Sequence, residues 1–408
     1  MKNLIYLLLL SMTIPSCKKE EARQVNQYTI EQFYTNTRFE GGTFSADETR
    51  LLVGSDETGI FNLYEITLAD GAKKQLTTST VESYYPVDYV PGMSALIYSA
   101  DKGGNEIDHL YLLEDNGKTT DLTPGENNKV SFFKWSEDKK SMFYISNIRD
   151  PKYFDVYKMN IGEWIPTLFY ENKSGLDVNE ISDDEKTLVV SKTVTTSENE
   201  LYLVNKETGT QTELSLPDQK GRYGVSGFSK DNKYVFYLTD GGKEFTYLVQ
   251  YDMNSGERKV LYETNWDVMY TFLSENETYR IIAINQDGKN TIIMQEAASG
   301  KTIDFPAIPD GDILGVEISD SEKLMRLSVG TSKAPNNIYL YNLETKELKK
   351  LTESLNKEIN ADDLVSAEVV RYKSFDGLDI PAIYYKPHQA SPEQKVPALV
   401  WVHGGPGG

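Results

Sequence analysis

Ser229-Lys230-Asp231-Asn232-Lys233-Tyr234-Val235-Phe236-Tyr237-Leu238 opens the stretch that decides the fold, which runs on through Tyr247-Leu248-Val249-Gln250-Tyr251, Ser255-Gly256 and Lys259-Val260-Leu261-Tyr262. The runs are short and rich in aromatic and β-branched residues, which suit a pleated surface better than a helix. Ser255-Gly256 falls between the last two runs, where a tight hairpin needs a residue tolerant of positive φ. Outward from this unit the same pattern recurs. Its first turn reappears at Ser45-Ala46-Asp47, Pro91-Gly92, Ser136-Glu137-Asp138, Ser182-Asp183-Asp184, Ser274-Glu275-Asn276 and Ser319-Asp320-Ser321. Successive leading residues lie 46, 45, 46, 47, 45 and 45 apart. A second turn keeps step at Gly71, Gly117, Gly162, Gly209, Gly256 and Gly300, with Lys346 in that place in the last unit. About four strands fit a repeat of this length, which is the signature of a propeller blade, because one blade buries both faces only when neighbours stack around a ring. The spacing predicts a mainly β protein with a seven-bladed β-propeller over 44–352.

The 408 residues carry 62 acidic and 42 basic side chains, a formal charge of −20, which repels phosphate backbones and argues against nucleic acid as a partner. Lys2, the apolar run Leu4 to Leu10 and Ile14-Pro15-Ser16-Cys17 have the layout of a secretory signal over 1–16. The run is too short to span a bilayer. Ile14, Ser16 and Cys17 are similar to the bacterial lipobox, so Cys17 is the expected lipid attachment site. That implies an exported protein held to a membrane through lipid, facing the periplasm or cell surface. Cys17 is the sole cysteine, so no disulfide is expected. Residues 17–43 read as a polar tether and N-terminal segment, with a short helix near Thr29 to Tyr34 that Thr29 could cap.

Beyond the repeats, 353–364 is charged and suits a linker. Glu368-Val369-Val370-Arg371-Tyr372 and Leu378 to Tyr385 flank Phe375-Asp376-Gly377, a hairpin signal. Pro397-Ala398-Leu399-Val400-Trp401-Val402 is continuously apolar, as a strand covered on both faces must be, and His403-Gly404-Gly405-Pro406-Gly407-Gly408 follows it. The expectation for 365–408 is the first strands of a truncated α/β-hydrolase domain.

This arrangement resembles the prolyl oligopeptidase family of serine peptidases, which includes dipeptidyl and acylaminoacyl peptidases. The most specific residues are Ser374-Phe375-Asp376-Gly377, Lys386-Pro387 and Val402-His403-Gly404-Gly405-Pro406 behind the blades. The resemblance implies a propeller that admits oligopeptides to a hydrolase and excludes folded proteins. It also implies an oxyanion loop at His403, Gly404 and Gly405, where glycines let backbone N–H groups approach the developing negative oxygen. Serine, aspartate and histidine of a triad come later in the chain order of such enzymes and are expected beyond Gly408, so no catalytic residue is assigned and the chain by itself is expected to be inactive. His109 and His388 are read as packing or surface residues. No cofactor and no metal is expected, since three histidines and one cysteine offer no zinc-like spacing. The other reading is a lipid-tethered propeller that binds a partner without catalysis.

Overall fold

The computed structural model describes residues 24–216, 218–402 and 404. Seven four-stranded antiparallel sheets form in strict chain order, followed by a two-stranded sheet. The blades are 39–75, 85–121, 130–170, 177–213, 223–262, 267–303 and 311–350. The expectation of seven blades holds, and each of the turn glycines from Gly71 to Gly300 has positive φ, as does Lys346 at 63°. The short outer strands Lys73–Gln75 and Gln211–Glu213 are polar and largely exposed, which discourages pairing at the rim.

The serine that opens each turn between the first and second strands has a structural cause. Ser45, Ser136, Ser182, Ser229, Ser274 and Ser319 are all buried. Each hydroxyl accepts the backbone N–H five residues on, at 2.9 to 3.2 Å. In four blades the hydroxyl donates to the aspartate two residues later, at 2.6 to 2.7 Å. Serine thus satisfies a buried amide that the bend would leave orphaned. In blade 2 the equivalent residue is Val90, one position before the Pro91-Gly92 marker, with Gly92 at φ 70°.

The fourth turn residue sits at positive φ without being glycine: Glu48, Lys139, Glu185, Asn232, Glu277 and Glu322 lie between 51° and 60°. Such a backbone costs roughly 1 kcal/mol for a side-chain-bearing residue. The cost is offset across the seams. Asn232 accepts the Asp183 N–H at 3.0 Å, Glu277 that of Lys230 at 2.8 Å, and Glu322 that of Asn276 at 2.8 Å. Glu48 of blade 1 does the same to blade 7, accepting Ser321 N–H at 2.7 Å and the Ser319 hydroxyl at 3.0 Å. Glu185 instead takes the Lys158 ammonium of blade 3 at 2.6 Å. No strand is shared between blades 1 and 7. That seam is held by Glu48, by Lys349 donating to the carbonyls of Leu68 and Ala69, and by Phe39, Val53 and Ile66 packed with Ile338 and Leu351.

Every innermost strand carries a β-bulge. Bulges bend and over-twist a strand, which suits the tight curvature at the axis. The helix expected near Thr29 is present at Ile30–Tyr34, with a capping box between Thr29 and Gln32. The hairpin past the ring forms from Glu368–Lys373 and Asp379–Tyr384. The strand expected at Pro397 to Val402 does not form: these residues have no ladder partner, and Leu399, Val400, Trp401 and Val402 are exposed. An apolar run supplies faces to cover, yet a strand also needs neighbouring backbone to bond, and none lies beside it among the described residues.

Candidate functional site

Both chain ends leave the ring on one face and are tied together there. Tyr28 donates its hydroxyl to Asp363 at 2.7 Å and accepts the Asn360 N–H at 2.9 Å. Asn356 bonds to Asn36, to the Gln32 carbonyl and to the Thr35 hydroxyl, and Thr37 N–H donates to the Ser354 carbonyl at 2.9 Å. The short helix therefore anchors the segment that leaves the last blade.

The hairpin at 368–384 lies on blades 6 and 7 of the same face. Arg371 pairs with Asp287, the Ser366 hydroxyl donates to Asp310 at 3.1 Å, and the Ala367 N–H donates to the Ser332 hydroxyl at 3.0 Å. Ile383 packs against Gly288, where a Cβ would stand 3.2 Å from its Cδ1 and where φ is 73°. A cleft of about 310 Å³ lies between hairpin and blades. The outer side of the hairpin and the segment after it are apolar and exposed, from Phe375 and Leu378 to Trp401 and Val402.

Of the expected oxyanion loop, Gly404 is described, and nothing stands within 4 Å of the position its Cβ would take. His403 and Gly405 lie outside the described residues, as do Gly408, beyond which the triad is expected, and the lipidation candidate Cys17. His109 is buried, with Nδ1 on Asp121 at 2.8 Å and Nε2 on the Gly125 carbonyl at 2.9 Å; His388 reaches the Leu364 carbonyl at 3.3 Å. Among the described residues neither is hydrogen-bonded to a hydroxyl or thiol. Among the described residues no three metal-ligating side chains come together, and no helix is long and apolar enough to cross a membrane.

Around the axis the inner strands bring one position of each repeat to the same register: Thr43, Asp88, Lys134, Glu180, Gly227, Phe272 and Glu317. Lys134 joins Glu180 at 3.1 Å and Asp183 at 3.4 Å; burial opposes its charge, but the two carboxylates win and raise its pKa. Glu317 holds Arg326 at 2.8 Å. Asp88 accepts Trp135 Nε1–H at 2.8 Å and the Tyr89 N–H at 2.7 Å, yet burial pushes its carboxyl up to about 6. This ring of groups escaped the sequence reading because charged residues in strands read as solvated faces. Counting back two residues from the turn serine would have found six of the seven; blade 2 has Val90 in the serine's place and needs the structure to set its register.

The geometry is that of a closed ring with a lined axis and a two-stranded hairpin docked on one face. Residues 85–354 match the family profile described as the prolyl oligopeptidase N-terminal beta-propeller domain. No curated protein matched the chain. Among solved structures, one from a structural and mechanistic study of two prolyl endopeptidases, concerned with inter-domain dynamics in catalysis and specificity, superposes with a TM-score of 0.67 at 17% identity over 86% of this chain and 54% of its own. Prolyl oligopeptidase B from Galerina marginata, in its apo form, gives 0.64 at 14% identity over 86% of this chain and 55% of its own. The same enzyme, as an H698A mutant bound to a 35mer hydrolysis and macrocyclization substrate, gives 0.63. At these identities the structures establish the fold, and the chain spans about half the length of each. The profile covers well over half of the chain, which therefore belongs, through its N-terminal β-propeller domain, to the prolyl oligopeptidase family.

Proposed function

We propose that this chain is the peptide-admitting part of an exported serine peptidase acting on oligopeptides. The observation that carries the proposal is the docking of the hairpin at 368–384 on the ring face where both chain ends emerge. A hydrolase domain continuing from that hairpin would lie over the axis, so that peptides reach it through or beside the ring while folded proteins are held off by size. Residues 403–405 would then supply one oxyanion N–H, and a serine activated by a histidine in the remainder of that domain would form the acyl-enzyme. Cys17 would carry the lipid that tethers the mature protein.

Two measurements test this. A fluorophosphonate probe should leave the present chain unlabelled and should label the protein read through the continuing DNA at the serine of a Gly-x-Ser-x-Gly elbow; labelling of the chain itself, or no elbow in any frame, refutes the peptidase reading. An alkyne fatty acid fed to producing cells should mark the protein and fail to mark Cys17→Ser. Equal incorporation in both removes the lipid anchor.

A further inference from the structure

One buried cation in the ring has no acidic partner. Aligned on the turn serine, the sixth residue onward is Leu51, Leu96, Met142, Leu188, Val235 and Met325 in six blades, buried residues that face the preceding blade. In blade 6 this core position is Arg280, with 5% of its surface exposed. Its guanidinium lies 4.3 Å from the centre of the Phe236 ring in blade 5 and makes no side-chain hydrogen bond or ion pair among the described residues. Burial pulls its pKa down to about 10, with only the charge of Glu277 acting in the other direction. A desolvated cation is costly where an aliphatic side chain would serve, so its presence asks for an anion that arrives from outside.

Space for that anion exists. Arg280 borders a cavity of about 180 Å³ near the axis, whose walls include Phe228, Phe236 and Phe272. Gly227 forms part of the wall, and a Cβ there would meet nothing within 4 Å, whereas other blades carry Asp88, Lys134 or Glu180 at this register. Glu180 and Asp183 also border the cavity but are engaged by Lys134. The four charges of the lining sum to zero, but Lys134 holds both carboxylates and Arg280 alone among them has no ion pair; the rest of the wall is mostly aromatic, with Leu273, Ser226 and Gly227.

We propose that blades 5 and 6 form a binding site for a carboxylate attached to an aromatic or apolar group, with the Arg280 guanidinium as its partner and the three phenylalanines around its apolar part. The corresponding peptide ligand would be a free C-terminus ending in an apolar residue; that identification rests on the proposed function, while the site does not. Ligand-observed NMR titration of the full chain with 3-phenylpropionate and with 3-phenylpropanamide tests it without any hydrolysis. The acid should bind at least about tenfold more tightly than the amide, as expected for losing a hydrogen bond to a charged group. Arg280→Met, which restores the side chain found at Met142 and Met325, should abolish acid binding and raise the melting temperature. No binding of the acid, equal binding of acid and amide, or undiminished binding by Arg280→Met overturns the site. Inorganic phosphate binding as tightly as the acid overturns the assignment to an apolar carboxylate. Should Arg280→Met fail to fold, the comparison of acid with amide on the unaltered chain decides the matter. Loss of peptidase activity in the longer protein would leave this result untouched.

Discussion

Replacing Glu48 by alanine removes one of two polar links between the first and last blades, leaving that of Lys349. Its carboxylate accepts from Ser321 N–H and the Ser319 hydroxyl. A hydrogen bond to a charged group contributes about 1.5 to 3 kcal/mol when buried, and partial exposure at this turn lowers the combined effect to roughly 2 kcal/mol. Unfolding entropy of about 2.1 cal/mol/K per residue, taken over the ring, makes 2 kcal/mol a fall of about 3 °C in melting temperature. Glu277→Ala removes a similar bond between blades 5 and 6, which the chain also joins covalently. Both variants should melt lower, but hydrogen exchange should separate them. In Glu48→Ala the amide of Ser321 and the amides facing the seam from blades 1 and 7 should exchange faster by tenfold or more, while in Glu277→Ala the acceleration should stay near Lys230. Unchanged melting and unchanged exchange of Ser321 in Glu48→Ala would refute the claim that this carboxylate closes the ring.

Acid should act on two groups with opposite sign. The Ser45 and Thr49 hydroxyls hold the Asp47 carboxyl down at about 2, so the stability it contributes is present above pH 4 and lost as pH falls toward 2; Asp47→Asn should flatten the melting curve there. Asp88, raised to about 6 by burial, binds its proton more tightly folded than unfolded, so stability should fall as pH rises from 4 to 6, and Asp88→Asn should remove that slope in melting experiments. Arg371→Ala should free the hairpin from Asp287, seen as faster proteolysis within 368–384 with the ring intact. Val400→Thr with Trp401→Ser should reduce dye binding to exposed apolar surface and raise solubility, whereas removing the whole of 361–404 should gain less, because the hairpin is docked.

The ring was legible because two turns of different chemistry keep one period, and each had a readable cause. Glycine at 71, 117, 162, 209, 256 and 300 marks positive φ outright. The carboxylates at 48, 277 and 322 did not announce themselves, since a glutamate in a polar turn looks like any solvated charge until the neighbouring blade brings an N–H to it. Arg280 was hidden for the opposite reason: it follows Tyr279 at the start of a strand, where an arginine is unremarked unless the seven units are aligned and six aliphatic side chains stand in its place. The apolar run at 397–402 shows the limit of pattern alone, because hydrophobicity specifies what wants cover and says nothing of which backbone will provide it. The bulges, too, follow from curvature at the axis and leave no residue signature beyond an occasional glycine such as Gly42 or Gly227.

Because blade 1 meets blade 7 through the same turn-to-turn bond that joins other neighbours, the cyclic arrangement has no privileged starting point. A polypeptide whose old ends were tied by a short loop and whose new ones were cut in the connector between blades 4 and 5 would keep every interstrand ladder of the parent. The point at which the chain enters the ring is then not dictated by how the circle is made.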